Sequence, residues 1–78
     1  MIIRWTPEAA ASARRFMRDQ QGMRKIAAAV EALADDPEPQ DGFHRGRYHR
    51  LRVDTYRIIY FTGPVGIVIF RIDRVAER

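Results

Sequence analysis

The chain has 78 residues, 46% of them hydrophobic, no cysteine and a formal charge of +4. This describes one small globular domain, residues 1–78, with no disulfide framework or cysteine-bound metal, suited to a reducing, cytoplasmic setting. Its longest apolar run, residues 65–70, is too short to span a membrane; His44 and His49 are too few for a zinc site; and the N-terminus reads as no signal peptide.

Residues 1–5, "MIIRW", read as a short strand. Thr6-Pro7-Glu8 then starts a helix: a capping hydroxyl, a proline suited to the first helical position, and an acid at the positive helix end. Ala9, Ala13, Phe16 and Met17 follow at helical spacing, with Arg14, Arg15 and Arg18 on the outer side. This helix is expected to end within residues 19–22. A second helix carries the stripe Met23, Ile26, Ala27, Val30, Leu33 and Ala34, so the two form a helical hairpin. Pro37 and Pro39 in "DDPEPQDG", residues 35–42, stop it in a surface loop.

Three strands fit the remainder, at about 47–53, 56–62 and 65–72. The first turn is Asp54-Thr55 and the second contains Gly63, Pro64 and Gly66. Hairpin connections make these strands antiparallel. The predicted order is β-α-α-β-β-β, an α+β domain with both helices on one sheet face. Leu51, Val53, Ile58, Ile26, Val30, Leu33 and Phe16 form the predicted core. The polar tail "DRVAER" is expected to fray.

Charge is unevenly spread. Residues 1–43 hold six basic and seven acidic side chains; residues 44–78 hold eight basic and three acidic, a local charge of +5. Thirteen of the fourteen basic residues are arginine, whose planar fork matches phosphate oxygens and stacks on bases. Strand alternation places Arg50 and Arg52 opposite Leu51 and Val53. If Tyr56, Ile58 and Tyr60 face the helices, Arg57 joins the two arginines on the open face. His49 falls on the helix side and reads as structural, while Tyr48 falls on the open face. An arginine-bearing face with aromatic flooring can hold phosphates and stack bases; it can equally be an ordinary solvated sheet face.

Four stretches carry a family likeness. They are "IRWTPEAAASARRF", "IAAAVEALADDPEP", "HRLRVDTYRIIYF" and "VIFRIDR", and together they cover nearly the whole chain. The sequence resembles the RelE/ParE superfamily of bacterial toxins from type II toxin–antitoxin systems. RelE-type members are metal-independent, ribosome-dependent endoribonucleases that cut mRNA; ParE-type members poison DNA gyrase without enzymatic chemistry. The resemblance implies no cofactor and an acidic antitoxin as partner, with the ribosome and mRNA as targets of an RNase and operator DNA as a target of the toxin–antitoxin complex. By position it implies Arg52, Arg57 and Arg74 as catalytic candidates. Arg45, Arg47, Tyr48, Arg50 and Arg71 are the implied RNA contacts.

RNA cleavage needs a base for the 2′-hydroxyl and an acid for the leaving oxygen as well as charge stabilisation. Arginine supplies the last and, being permanently protonated, supplies the others poorly. Many RNases of this family end in a tail with His and Tyr. This chain ends "RIDRVAER". The sequence therefore leaves three readings open, with the RNase first: an mRNA interferase, a gyrase poison, and a degenerate toxin that only binds its antitoxin.

Overall fold

The computed structural model describes residues 1–75. The last three residues of the tail expected to fray, 76–78, lie outside them. Strand β1 (Ile2–Trp5) leads into helices α1 (Pro7–Arg15) and α2 (Gln20–Leu33), followed by strands β2 (Phe43–Arg45), β3 (Tyr48–Val53), β4 (Tyr56–Thr62) and β5 (Gly66–Arg74). The sheet order is β1-β5-β4-β3-β2, with β1 parallel to β5 and the other pairs antiparallel. The α+β architecture is the predicted one with one strand added.

That strand, β2, lies between the predicted loop, residues 35–42, and the predicted strand at about 47–53, where no element was expected. Three residues are too few to display a two-residue period, and Phe43-His44-Arg45 has no apolar alternation. It forms because Gly46, at φ +59°, takes the left-handed conformation that folds the chain back onto β3.

The first helix ends earlier than predicted, at Arg15, and the second begins earlier, at Gln20. Asp19 is the cause. Its carboxylate accepts the amide of Gly22 at 2.9 Å and so caps α2, which requires the chain to turn just before it. Thr6 caps α1 as predicted, accepting the amide of Ala9 at 3.0 Å.

Both helices cover one sheet face. Ile26, Val30 and Leu33 of α2 and Ala9 of α1 bury against Leu51, Tyr56, Ile58, Tyr60, Ile67, Ile69 and Ile72, with Phe16 and Val53 packed at the margin. Every residue of the predicted core is in or against this cluster. A register shift at Ile59/Tyr60 pairs Ile59 with Arg71 and Tyr60 with Ile69, leaving Phe70 as an extra residue in β5. This bulge shifts β5 by one position, so Ile67, Ile69 and Ile72 all face inward and Arg71 turns outward.

Parallel pairing with β1 stops at Trp5–Ile69, which leaves the rest of that β5 edge without a strand partner. Helix α1 supplies one. The amide of Thr6 donates to Ile69 O at 3.1 Å, Thr6 Oγ1 donates to Phe70 O at 3.1 Å, and the amide of Ile72 donates to the buried Ser12 Oγ at 3.0 Å. Ser12 in turn donates to Ala9 O at 2.8 Å.

Candidate functional site

The uncovered sheet face is built from three rows set by the strand register. Arg52 lies opposite Arg57, which lies opposite Asp73. Phe43, Arg50, Ile59 and Arg71 form the second row, and Arg45, Tyr48, Phe61, Val68 and Arg4 the third. The Arg50 guanidinium lies over the Phe43 ring, 4.4 Å from its centroid, which orders a cation on this face. Tyr48 meets Phe61 edge-on at 5.7 Å, and Phe61 meets Phe70 at 5.8 Å. Arg45, Arg50 and Arg52 are exposed and Arg57 is half-buried. Arg52 Nε donates to Asp54 O at 2.7 Å, which fixes the inner end of its fork.

Not every candidate belongs to that face in the same sense. Arg71 is held by Asp73 at 3.0 Å and reaches Glu8 at 4.0 Å, so its charge is largely answered within the chain. Arg47 sits in the turn before β3 and donates from Nε to Thr62 O at 2.8 Å. Arg74 is the last residue of β5, not a residue beyond it, and pairs with Tyr56 on the helix side. It nevertheless meets Arg57 at the end of the sheet. There a polar notch of about 460 Å³ is lined by Arg15, Arg57, Arg74, Phe16 and Asp73. Arg15, expected on the outer side of α1 away from any site, lines this notch too.

The titratable groups with perturbed behaviour lie on the helix side. His49 is buried between the rings of Tyr60, at 4.8 Å, and His44, at 5.2 Å, and its Nε2 is 3.1 Å from Thr62 Oγ1. Burial, then the neighbouring His44, lowers its pKa below the usual imidazole value. The Tyr60 hydroxyl donates to Pro37 O at 2.8 Å; burial, followed by Asp36 and Glu38, pushes it up to about 12. The Tyr56 hydroxyl donates to Asp19 at 2.7 Å, a bond that raises the tyrosine and lowers the aspartate. These contacts dock helices and loop onto the sheet.

The family model of the ParE toxin of the type II toxin–antitoxin system, parDE, matches residues 3–78. The chain belongs to the ParE toxin family. A solved chain of the chromosomal ParDE toxin–antitoxin system from P. aeruginosa has the same fold, with a TM-score of 0.79 at 20% identity over 97% of each chain. No curated protein matches by sequence. As a type II toxin the chain is one half of a toxin–antitoxin pair.

On this toxin the open face offers guanidinium and aromatic groups, with the Asp73 carboxylate and the aliphatic Ile59 and Val68 between them. Among the described residues both histidines are on the helix side, His49 buried and His44 opposite it in the register. The face is thus equipped to bind anions and flat apolar surfaces. Sequence reasoning missed Arg4, Phe43 and Arg15 as its neighbours. Arg4 is brought to the face by the parallel pairing of the chain's first strand with its last, which no local pattern encodes. Phe43 came with the unrecognised strand. For Arg15 the helical spacing was readable, but not which strand end the helix would overlie.

Proposed function

We propose that this toxin acts in the ParE manner, poisoning DNA gyrase by binding rather than by cutting RNA. The carrying observation is the family match across residues 3–78. The site chemistry supports it. Arg50, Arg52 and Arg57 present a cationic surface suited to a protein–DNA assembly, while among the described residues neither histidine lies on that face and its Asp73 carboxylate is tied to Arg71 at 3.0 Å. An acidic antitoxin that covers the cationic face would silence it.

A second reading, ribosome-dependent mRNA cleavage, draws support from the same three arginines and from the notch that joins Arg57 to Arg74. One experiment separates the two. Purified toxin is incubated with gyrase and supercoiled DNA, and in parallel with translating ribosomes. Gyrase-dependent accumulation of cleaved DNA with intact message is the expected result. Cut mRNA on ribosomes with unaffected gyrase would refute the gyrase reading.

A further inference from the structure

Three rings stand in one row across the helix side of the sheet. The register sets His44 of β2 opposite His49 of β3, and His49 opposite Tyr60 of β4. His49 is 1% exposed and lies nearly parallel to both neighbours, at 16° and 4.8 Å from Tyr60 and at 20° and 5.2 Å from His44. His44 itself is exposed. At the far end of the row the Tyr60 hydroxyl donates to Pro37 O, in the loop that leads into β2. The row therefore closes a lap of chain that runs from Pro37 through β2 and back onto the sheet.

Strand β2 is lightly held. It is an edge strand of three residues, all exposed, with β3 as its strand neighbour. Beyond the ladder, Phe43 meets the Arg50 guanidinium at 4.4 Å and His44 meets His49. An imidazole changes charge between about pH 5 and 8. Neutral rings stack without electrostatic cost, whereas two imidazoliums in the same places repel, and one of them is shut away from water. Among the described residues, His44 opposes protonation of His49 and Glu38 of the loop favours it. The other neighbours are uncharged: Thr62 and Tyr60 from β4, the latter neutral until about pH 12, and the core-facing Ile26, Val30 and Leu33 from α2. Burial, ahead of His44, holds His49 below the usual imidazole value, so the stability it contributes is complete above pH ~6.5 and lost as pH falls through the folded value. Repulsion between charged rings is relieved where the structure is weakest. Tyr60 is fixed in the core and β3 is paired on both sides, so the edge strand yields.

We propose that His44 and His49 form an acid-sensitive latch on β2: as neutral rings they hold the strand on the sheet, and when both are protonated the strand comes away while the other four strands stay paired. Phe43 and Arg45 leave with it, so the open face is complete only above the transition. The latch does not depend on whether gyrase or the ribosome is the target, and its test uses neither.

The test follows the full chain, labelled with ¹⁵N and ¹³C, by NMR from about pH 8 to about pH 4. The carbon-bound ring protons report the charge of each histidine. Nuclear Overhauser contacts from Phe43 to Arg50 and from His44 to His49 should vanish as the second ring is protonated, while those between Leu51 and Ile58 and between Ile58 and Ile72 persist. The open fraction of β2 should rise about tenfold per pH unit for each proton taken up. His44→Phe keeps a stacked ring at an exposed position and takes no charge, so its β2 should stay paired at pH ~5. His49→Gln should lose the response too; thermal unfolding shows whether that buried change is folded, and His44→Phe decides alone if it is not. Intact β2–β3 contacts in the wild type with both rings charged would overturn the latch. So would loss of β2 only together with the β4–β5 pairing, a folded chain whose His49 stays neutral down to pH ~4, or opening of His44→Phe over the wild-type pH range.

Discussion

Ser12→Ala sets helix propensity against tertiary hydrogen bonding, and the structure decides the sign. On propensity alone the change should help, since Ala is favoured over Ser in a helix interior by roughly 0.5 kcal/mol. But Ser12 is only 5% exposed, and its Oγ accepts the amide of Ile72 at 3.0 Å on the β5 edge beyond the reach of β1. Alanine leaves that amide buried and unpaired, which costs about 1–3 kcal/mol. The net expectation is a destabilisation of about 0.5–2.5 kcal/mol. At roughly 4–8 °C per kcal/mol for a domain of this size, the melting temperature should fall by about 2–20 °C. Hydrogen exchange at Ile72 should quicken more than at Ile58, its register partner in β4. Ala11→Ser, at an exposed position of the same helix, should cost no more than the propensity difference. A melting temperature equal to or above wild type, or unaltered exchange at Ile72, would refute the role given to Ser12.

Gly22→Ala should also destabilise although alanine favours helices, because the added methyl would collide with the capping carboxylate of Asp19 and lie 2.7 Å from the buried Tyr56 ring; circular dichroism melting against Gln21→Ala, an exposed neighbour, checks this. Tyr60 should make the fold sensitive to alkali. Its folded pKa of about 12 exceeds the usual value near 10, so its contribution is complete below pH ~10 and lost as pH rises through 12; denaturant midpoints between pH 9 and 12 should fall, and fall less in Tyr60→Phe. His49 works the other way. Its lowered pKa gives a contribution that is complete above pH ~6.5 and lost as pH falls through the folded value, which an NMR titration of the ring and acid melting curves would follow. Arg50→Ala, Arg52→Ala and Arg57→Ala should each cut toxicity and gyrase-dependent DNA cleavage about ten- to a hundredfold while melting within a few degrees of wild type, with Arg57→Lys rescuing partly and Arg14→Ala unaffected. Arg15→Ala should fall with Arg57→Ala if the notch they share takes part, and with Arg14→Ala if it does not.

Local chemistry was enough to determine much of this protein. Thr6-Pro7-Glu8 announced a helix start, the stripe of Ile26, Val30 and Leu33 a buried helix face, and the alternation through "RYHRLRVDTYRIIYF" the strands that hold Arg50, Arg52 and Arg57 away from the helices. Each is a short-range signal: a cap, a 3.6-residue period, a two-residue period. The buried, helix-facing place of His49 followed from the same alternation. The family, too, was legible in those stretches, although they placed the RNase reading first and the match favours the ParE kind.

Only the tertiary structure decided the rest. The β2 strand is too short to carry a period and exists through its partner. The bulge at Phe70 turns Arg71 outward and gives it to Asp73, where unbroken alternation would have set it beside Ile67 and Ile69. Arg4 joins the open face because the first strand pairs with the last, and Arg15 meets Arg57 and Arg74 because α1 completes the edge that β1 leaves unfinished. The contacts of Arg4 with β5, and of α1 with Arg57 and β5, join residues more than forty positions apart. Their energy depends on which groups burial leaves unpaired, a property of the assembled sheet and helices that no single segment contains.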